Sequence, residues 1–187
     1  MTVPRKKKIS IFDLTYIAVG AALICVCSWI TIPLPTVPIT LQTFAVFCVL
    51  GAVGGARGTA AVAVYIALGA TGLPVFSGFR GGVGVLAGMT GGYILGFLFS
   101  AGFYWLLTSR VKDRLPARII GMAGGLLICY VFGTAWFVVG YMKAVSIETV
   151  AYALSQCVFP FLLPDAVKLT LAFVVSSAIA KRIGRGS

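Results

Sequence analysis

Asp165 and Lys168 lie three residues apart in the run Phe159-Pro160-Phe161-Leu162-Leu163-Pro164-Asp165-Ala166-Val167-Lys168. On a helix that spacing projects both side chains from one face. They are the acid and the base that fall within one long apolar stretch, and charges in such a setting are expensive and face a cavity or a partner. A carboxylate accepts N–H donors such as those of a cyclic urea, and an ammonium donates to a carbonyl or carboxylate oxygen. Pro164 is expected in the first turn of the last helix, where its missing N–H is harmless, with Asp165 beside it at the positive end of the helix dipole. Two readings stay open. Either the pair neutralises itself near the membrane interface, or it lines a cavity open to the outside and binds a polar ligand.

Gly84, Gly88, Gly92 and Gly96 recur every four residues, a spacing that brings helix backbones close together and leaves room beside main chain. Gly91-Gly92-Tyr93 combines bare backbone with an amphipathic phenol at the outer end of a span, which suits a ligand wall. Ala18-x-x-x-Ala22 on the first helix either packs internally or offers a flat face to another protein. No Walker loop is present, and Gly82-Val83-Gly84 does not extend to a dinucleotide fingerprint, so energy from ATP would have to come from other subunits. With no histidine, Cys25, Cys27, Cys48, Cys129 and Cys157 form no Cys/His metal pattern and read as buried thiols.

The elements that must position these residues are set by composition. Of 187 residues, 60% are hydrophobic and 10% charged, and mean hydropathy is +1.06. A soluble surface needs about a quarter of its residues charged, so the solvent for most of this chain is lipid. The net charge of +11 does not indicate a nucleic-acid partner, because the basic residues cluster at the ends of apolar runs without any basic stripe. The run after Arg5-Lys6-Lys7-Lys8 is of spanning length, which makes it a first transmembrane helix rather than a signal core.

Helices are expected at about 10–32, 39–54, 57–71, 86–109, 117–141 and 163–182, forming an all-α, six-span membrane bundle in one domain, residues 1–187. Continuous rather than alternating apolar character excludes a β-barrel. With both termini cytoplasmic, the inner side receives Arg5, Lys6, Lys7, Lys8, Arg57, Arg110, Lys112, Arg114, Arg118, Lys181, Arg182 and Arg185, twelve of the fifteen Lys and Arg residues. That asymmetry supports an even number of spans. The outer side then holds Arg80 and Lys143. It also carries a proline-stiffened loop at 32–38, a glycine-rich stretch at 71–91 with Phe76 and Phe79, and a short helix capped by Ser146 that reaches toward Cys157.

The Pro-rich loop followed by Thr40-Leu41-Gln42-Thr43-Phe44 resembles the BioY family of biotin-binding S components. So do Gly72-Leu73-Pro74-Val75-Phe76, Thr90-Gly91-Gly92-Tyr93-Ile94-Leu95-Gly96-Phe97 and Pro164-Asp165-x-x-Lys168. The likeness runs from the first helix to the last. Met89 departs from it, standing where many relatives have proline.

The resemblance implies a six-helix S-component bundle in the bacterial cell membrane. It implies biotin bound near the outer surface, as transported substrate and not as cofactor, by the first and third outer loops and helices 4 to 6. Asp165 and Lys168 would hold the ureido ring, Tyr93, Gly91 and Gly92 would line the site, and Arg80 or Gln42 would meet the polar end. Ala18 and Ala22 would face a transmembrane coupling subunit driven by two ABC ATPases.

Biotin capture without bond chemistry is therefore the leading expectation. An S component for thiamin or riboflavin is the alternative within the class. An intramembrane enzyme using Asp165 or Lys168 would lack a second catalytic group, and a ligand-free scaffold would be indifferent to Asp165→Asn except in stability.

Overall fold

The structure, a computed structural model, describes residues 10–34, 37–111, 114–142 and 145–184. The basic residues Arg5 to Lys8, Lys112, Lys143 and Arg185 lie outside that set, as does the side chain of Arg114. Among the described residues eight helices follow one another: α1 (Ile11–Trp29), α2 (Gln42–Val53), α3 (Gly55–Ala70), α4 (Val83–Ala87), α5 (Gly91–Arg110), α6 (Arg114–Tyr141), α7 (Ile147–Cys157) and α8 (Phe159–Arg182). Between α1 and α2 the proline-rich segment forms a two-stranded antiparallel ribbon, β1 (Thr31–Ile32) on β2 (Ile39–Thr40), pairing Thr31 with Thr40.

Four helices, Ile11–Trp29, Gly91–Arg110, Leu115–Tyr141 and Phe159–Arg182, are long and apolar enough to cross a membrane. Their outward residues are large and apolar, among them Ile11 at 80%, Val139 at 75% and Leu163 at 77% exposure. Such a surface is stable only against lipid, and the chain is a multi-pass membrane protein. The shorter α2 and α3 form a pair joined through Gly54 alone, whose φ of 88° accommodates the sharp turn. Ten residues of α2, from Gln42 to Val53, are buried, because this helix is surrounded by protein instead of lipid.

The expected helix over 86–109 is two helices. A turn at Gly88 to Thr90 separates α4 from α5, so Gly84 and Gly88 do not share a helical stripe with Gly92 and Gly96. Within α5, small residues do what the spacing suggests. A Cβ on Gly96 would sit 3.3 Å from Cys129 of α6, and Ser100 Oγ donates to the Gly125 carbonyl at 2.5 Å. The α5–α6 pair is the most extensive helix contact.

The last helix also begins earlier than expected. α8 starts at Phe159 with Pro160 in its first turn, and Pro164 lies inside it. Asp165 is therefore a full turn beyond the helix end, and the dipole does little for it. Its setting comes from burial instead. Phe161, Asp165, Lys168, Ala172, Ser176 and Ala180 form one buried stripe at three- and four-residue steps, facing into the bundle.

The expected short outer helix is α7, with Ser146 Oγ accepting from the Thr149 N–H at 3.2 Å. At the opposite end of the bundle, Arg57 bridges to Asp13 at 2.5 Å, tying the start of α3 to the start of α1.

Candidate functional site

The polar pair lies inside the bundle. Asp165 is 3% and Lys168 7% exposed, and Lys168 Nζ donates to Asp165 Oδ1 at 2.8 Å. The other carboxylate oxygen, Oδ2, accepts from Tyr130 Oη of α6 at 2.7 Å. Both acid oxygens are thus held, which fixes the carboxylate plane, while the ammonium keeps donors to spare. Near them the first residue of α2, Gln42, is 5% exposed and donates through Nε2 to Tyr65 Oη at 2.9 Å. Among the described residues its Oε1 takes no hydrogen bond, leaving a carbonyl acceptor beside the pair.

These groups border one cavity near the end of the bundle opposite Arg57. Its walls are Gln42 and Thr43 of α2, Tyr93, Ile94 and Phe97 of α5, Leu126, Cys129 and Tyr130 of α6, and Phe161, Asp165 and Lys168 of α8, with Cys157 of α7 at the edge. Val37, Pro38 and Thr40 of the ribbon, and Phe76, Ser77, Arg80, Val85 and Thr90 of the second outer connection, form its roof. It offers about 70 Å³ for the centres of water-sized molecules, several times the about 10–15 Å³ that one water needs. A wider outer vestibule, about 570 Å³, adjoins it and shares Pro38, Ser77, Arg80, Val85 and Thr90.

The roof is fastened to the bundle along one side. Ser28 Oγ of α1 donates to the Val75 carbonyl, Trp29 Nε1 donates to the Pro74 carbonyl at 2.9 Å, and Ser77 Oγ donates to Thr31 Oγ1 at 3.2 Å. Phe76, 1% exposed, packs edge-on against Tyr65 with ring centroids 5.5 Å apart. Phe79 stacks on Trp29 at 5.2 Å.

Sequence-predicted residues divide accordingly. Asp165, Lys168, Tyr93 and Gln42 converge on the cavity. Arg80 stands at its mouth, exposed, with Nε donating to the Ser77 carbonyl at 3.2 Å. Gly91 and Gly92 do not form the ligand wall expected of them. A Cβ on Gly91 would run into the Leu86 carbonyl and one on Gly92 into the Trp136 side chain, because the turn of the helix that points Tyr93 inward points its neighbours at α4 and α6. Ala18 and Ala22 are exposed on α1, which rules out internal packing at both.

Tyr130 joins the site without being among the residues expected from sequence. A phenol in the middle of a 28-residue apolar helix is the signal, since a buried tyrosine hydroxyl needs a partner. Tyr130→Phe is expected to weaken ligand binding roughly tenfold, removing about 1.5 kcal/mol of a hydrogen bond to a charged group. Calorimetric titration checks it; unchanged affinity would show that Asp165 holds its orientation without the phenol.

Residues 4–185 match the model of the BioY family. The chain belongs to the BioY family. This BioY chain is 40% identical over 160 residues to the biotin transporter BioY of Thermotoga maritima, covering 86% of this chain and 90% of that one. It is 35% identical over 174 residues to the biotin transporter BioY2 of Lactococcus lactis subsp. cremoris, covering 92% of each. These relatives are named transporters, not enzymes. In fold, the BioY chain is similar to a solved S-component for biotin from an ECF-type ABC transporter, with a TM-score of 0.78 at 24% identity over 96% of this chain and 95% of that chain.

Proposed function

We propose that this BioY-family chain is the biotin-capturing subunit of an ECF-type transporter, taking biotin from the outside and delivering it inward without bond chemistry. The observation that carries the reading is the buried Asp165–Lys168 pair facing a cavity walled by apolar and aromatic side chains, a combination of apolar trough and few polar anchors typical of small-molecule sites. Biotin's ureido ring has two N–H donors and one carbonyl. Asp165 and the free Gln42 carbonyl suit the donors, and the Lys168 ammonium suits the oxygen. The bicyclic head then lies among Tyr93, Phe97, Tyr130 and Phe161, and the acid tail points to the mouth, where Arg80 neutralises it. The narrow cavity must widen around the head, and the vestibule gives the tail room.

Six spans fit this role. α1, α5, α6 and α8 cross fully, and α2 and α3 cross as a short, protein-enclosed pair, with both termini cytoplasmic and the chain acting as a single domain. The basic ends of α3, α5, α6 and α8 on one side support that orientation. The exposed Ala18 and Ala22 provide a smooth strip against which a transmembrane coupling subunit, driven by two ATPases, can pack.

Calorimetric titration of the purified protein with biotin tests the reading. One biotin per chain is expected, undisplaced by thiamin or riboflavin and recovered chemically unchanged on release. No binding, or displacement by either vitamin at equal concentration, overturns it.

A further inference from the structure

The end of the bundle away from the biotin cavity holds a second hollow. It is about 690 Å³, set between the α2–α3 joint and the ends of α5, α6 and α8, and bordered by Trp105, Thr108, Ser109, Arg118, Ser177 and Lys181. Its central group is Arg118. Nη2 donates to Ser176 Oγ and to Ser177 Oγ, each at 3.1 Å, and the guanidinium carbon lies 5.2 Å from the centre of the Phe173 ring. Nε is buried without any hydrogen-bond partner.

Among the described residues, what Arg118 lacks is an anion. The chain has four acidic residues. Asp13 is bridged to Arg57 and Asp165 to Lys168, Glu148 sits on α7 at the other end, and Asp113 is outside the described residues. Among the described residues no carboxylate meets Arg118. A partly desolvated guanidinium supported by two hydroxyls and a ring face is unfavourable until a negative group completes it. The hollow that provides the space carries a second cation, Lys181, whose ammonium can donate to phosphate oxygens.

We infer that this hollow binds the phosphodiester headgroup of an anionic phospholipid, drawn from the leaflet that faces the basic end of the bundle. Basic pockets between spanning helices at that depth suit such headgroups. Trp105, 47% exposed, sits where interfacial tryptophans anchor, and the apolar outer faces of α5 and α6 continue from the rim as a path for acyl chains. Arg118 supplies directed donors to the phosphate, and Lys181 adds a flexible point charge. The assignment depends on the bundle lying in a membrane and is independent of what the outer cavity binds.

Native mass spectrometry of the purified protein tests it, with phosphatidylglycerol, phosphatidylcholine or inorganic phosphate added in separate arms. One phosphatidylglycerol per chain is expected to persist under conditions that strip phosphatidylcholine. Arg118→Gln and Lys181→Gln should each lower that retention roughly tenfold and leave biotin affinity unchanged. Equal retention of the two lipids overturns the proposal. So does inorganic phosphate competing as well as the lipid, which would make the hollow a free-anion site. If Arg118→Gln fails to fold, the exposed Lys181→Gln decides alone, and undiminished phosphatidylglycerol retention in that variant overturns the assignment.

Discussion

Lys168→Ala is expected to reduce biotin affinity by roughly 30- to 4,000-fold, because truncating one member of a buried, hydrogen-bonded charge pair at a binding site costs about 2–5 kcal/mol. The loss has two parts. The ligand oxygen forfeits its ammonium donor, and Asp165, 3% exposed, is left with an uncompensated charge whose remaining support is Tyr130. That second part also destabilises the empty protein, by about 3–5 kcal/mol. A double change, Asp165→Asn with Lys168→Met, removes both charges at similar volume and should restore much of the thermal stability without restoring binding. Titration and thermal unfolding of the two variants separate the parts. If Lys168→Ala bound biotin as tightly as the unaltered chain, the pair would be a structural ion pair and the site would lie elsewhere.

Gly133→Val is expected to lower biotin affinity about 150-fold while the helices persist. Gly133 of α6 is the slot that receives the Tyr93 ring. A Cβ there would overlap the ring itself, and Tyr93 is fixed further by its hydroxyl at 3.1 Å from Thr134 Oγ1. A ring pushed away from α6 moves toward the cavity it lines. Filling a packed position costs about 1–3 kcal/mol, and the upper part of that range applies because ring displacement and ligand exclusion act together. Circular dichroism should show helix content retained. Adding Tyr93→Ala to Gly133→Val should recover part of the affinity by removing the displaced ring. Full affinity in the single variant would mean that the ligand does not approach Tyr93.

The residues that could be recognised from sequence are those whose meaning is local. Asp165 and Lys168 stand out because two opposite charges on one helical turn are rare in apolar sequence, and the separation of basic from apolar ends marks the two faces of the bundle before any contact is known. Ser146 announces α7 by the same local logic. The failures are equally physical. Four-residue glycine recurrence looks the same whether or not the helix continues, so the break at Gly88 was invisible. Pro160 and Pro164 are four apart and either can open a helix, so α8 begins one turn before the start that Pro164 suggests. Tyr130 meets Asp165 across 35 residues, and only the packing of α6 against α8 brings them together.

Two of the five unpaired thiols, Cys129 and Cys157, stand on the wall of the cavity beside Asp165 and Lys168, buried like the other three. The cavity they border also has Arg80 at its mouth, so a molecule seated there stands between that pair and the medium. Alkylation of these native sulfurs is therefore expected to slow when the chamber is filled, a gauge of occupancy that needs no foreign label.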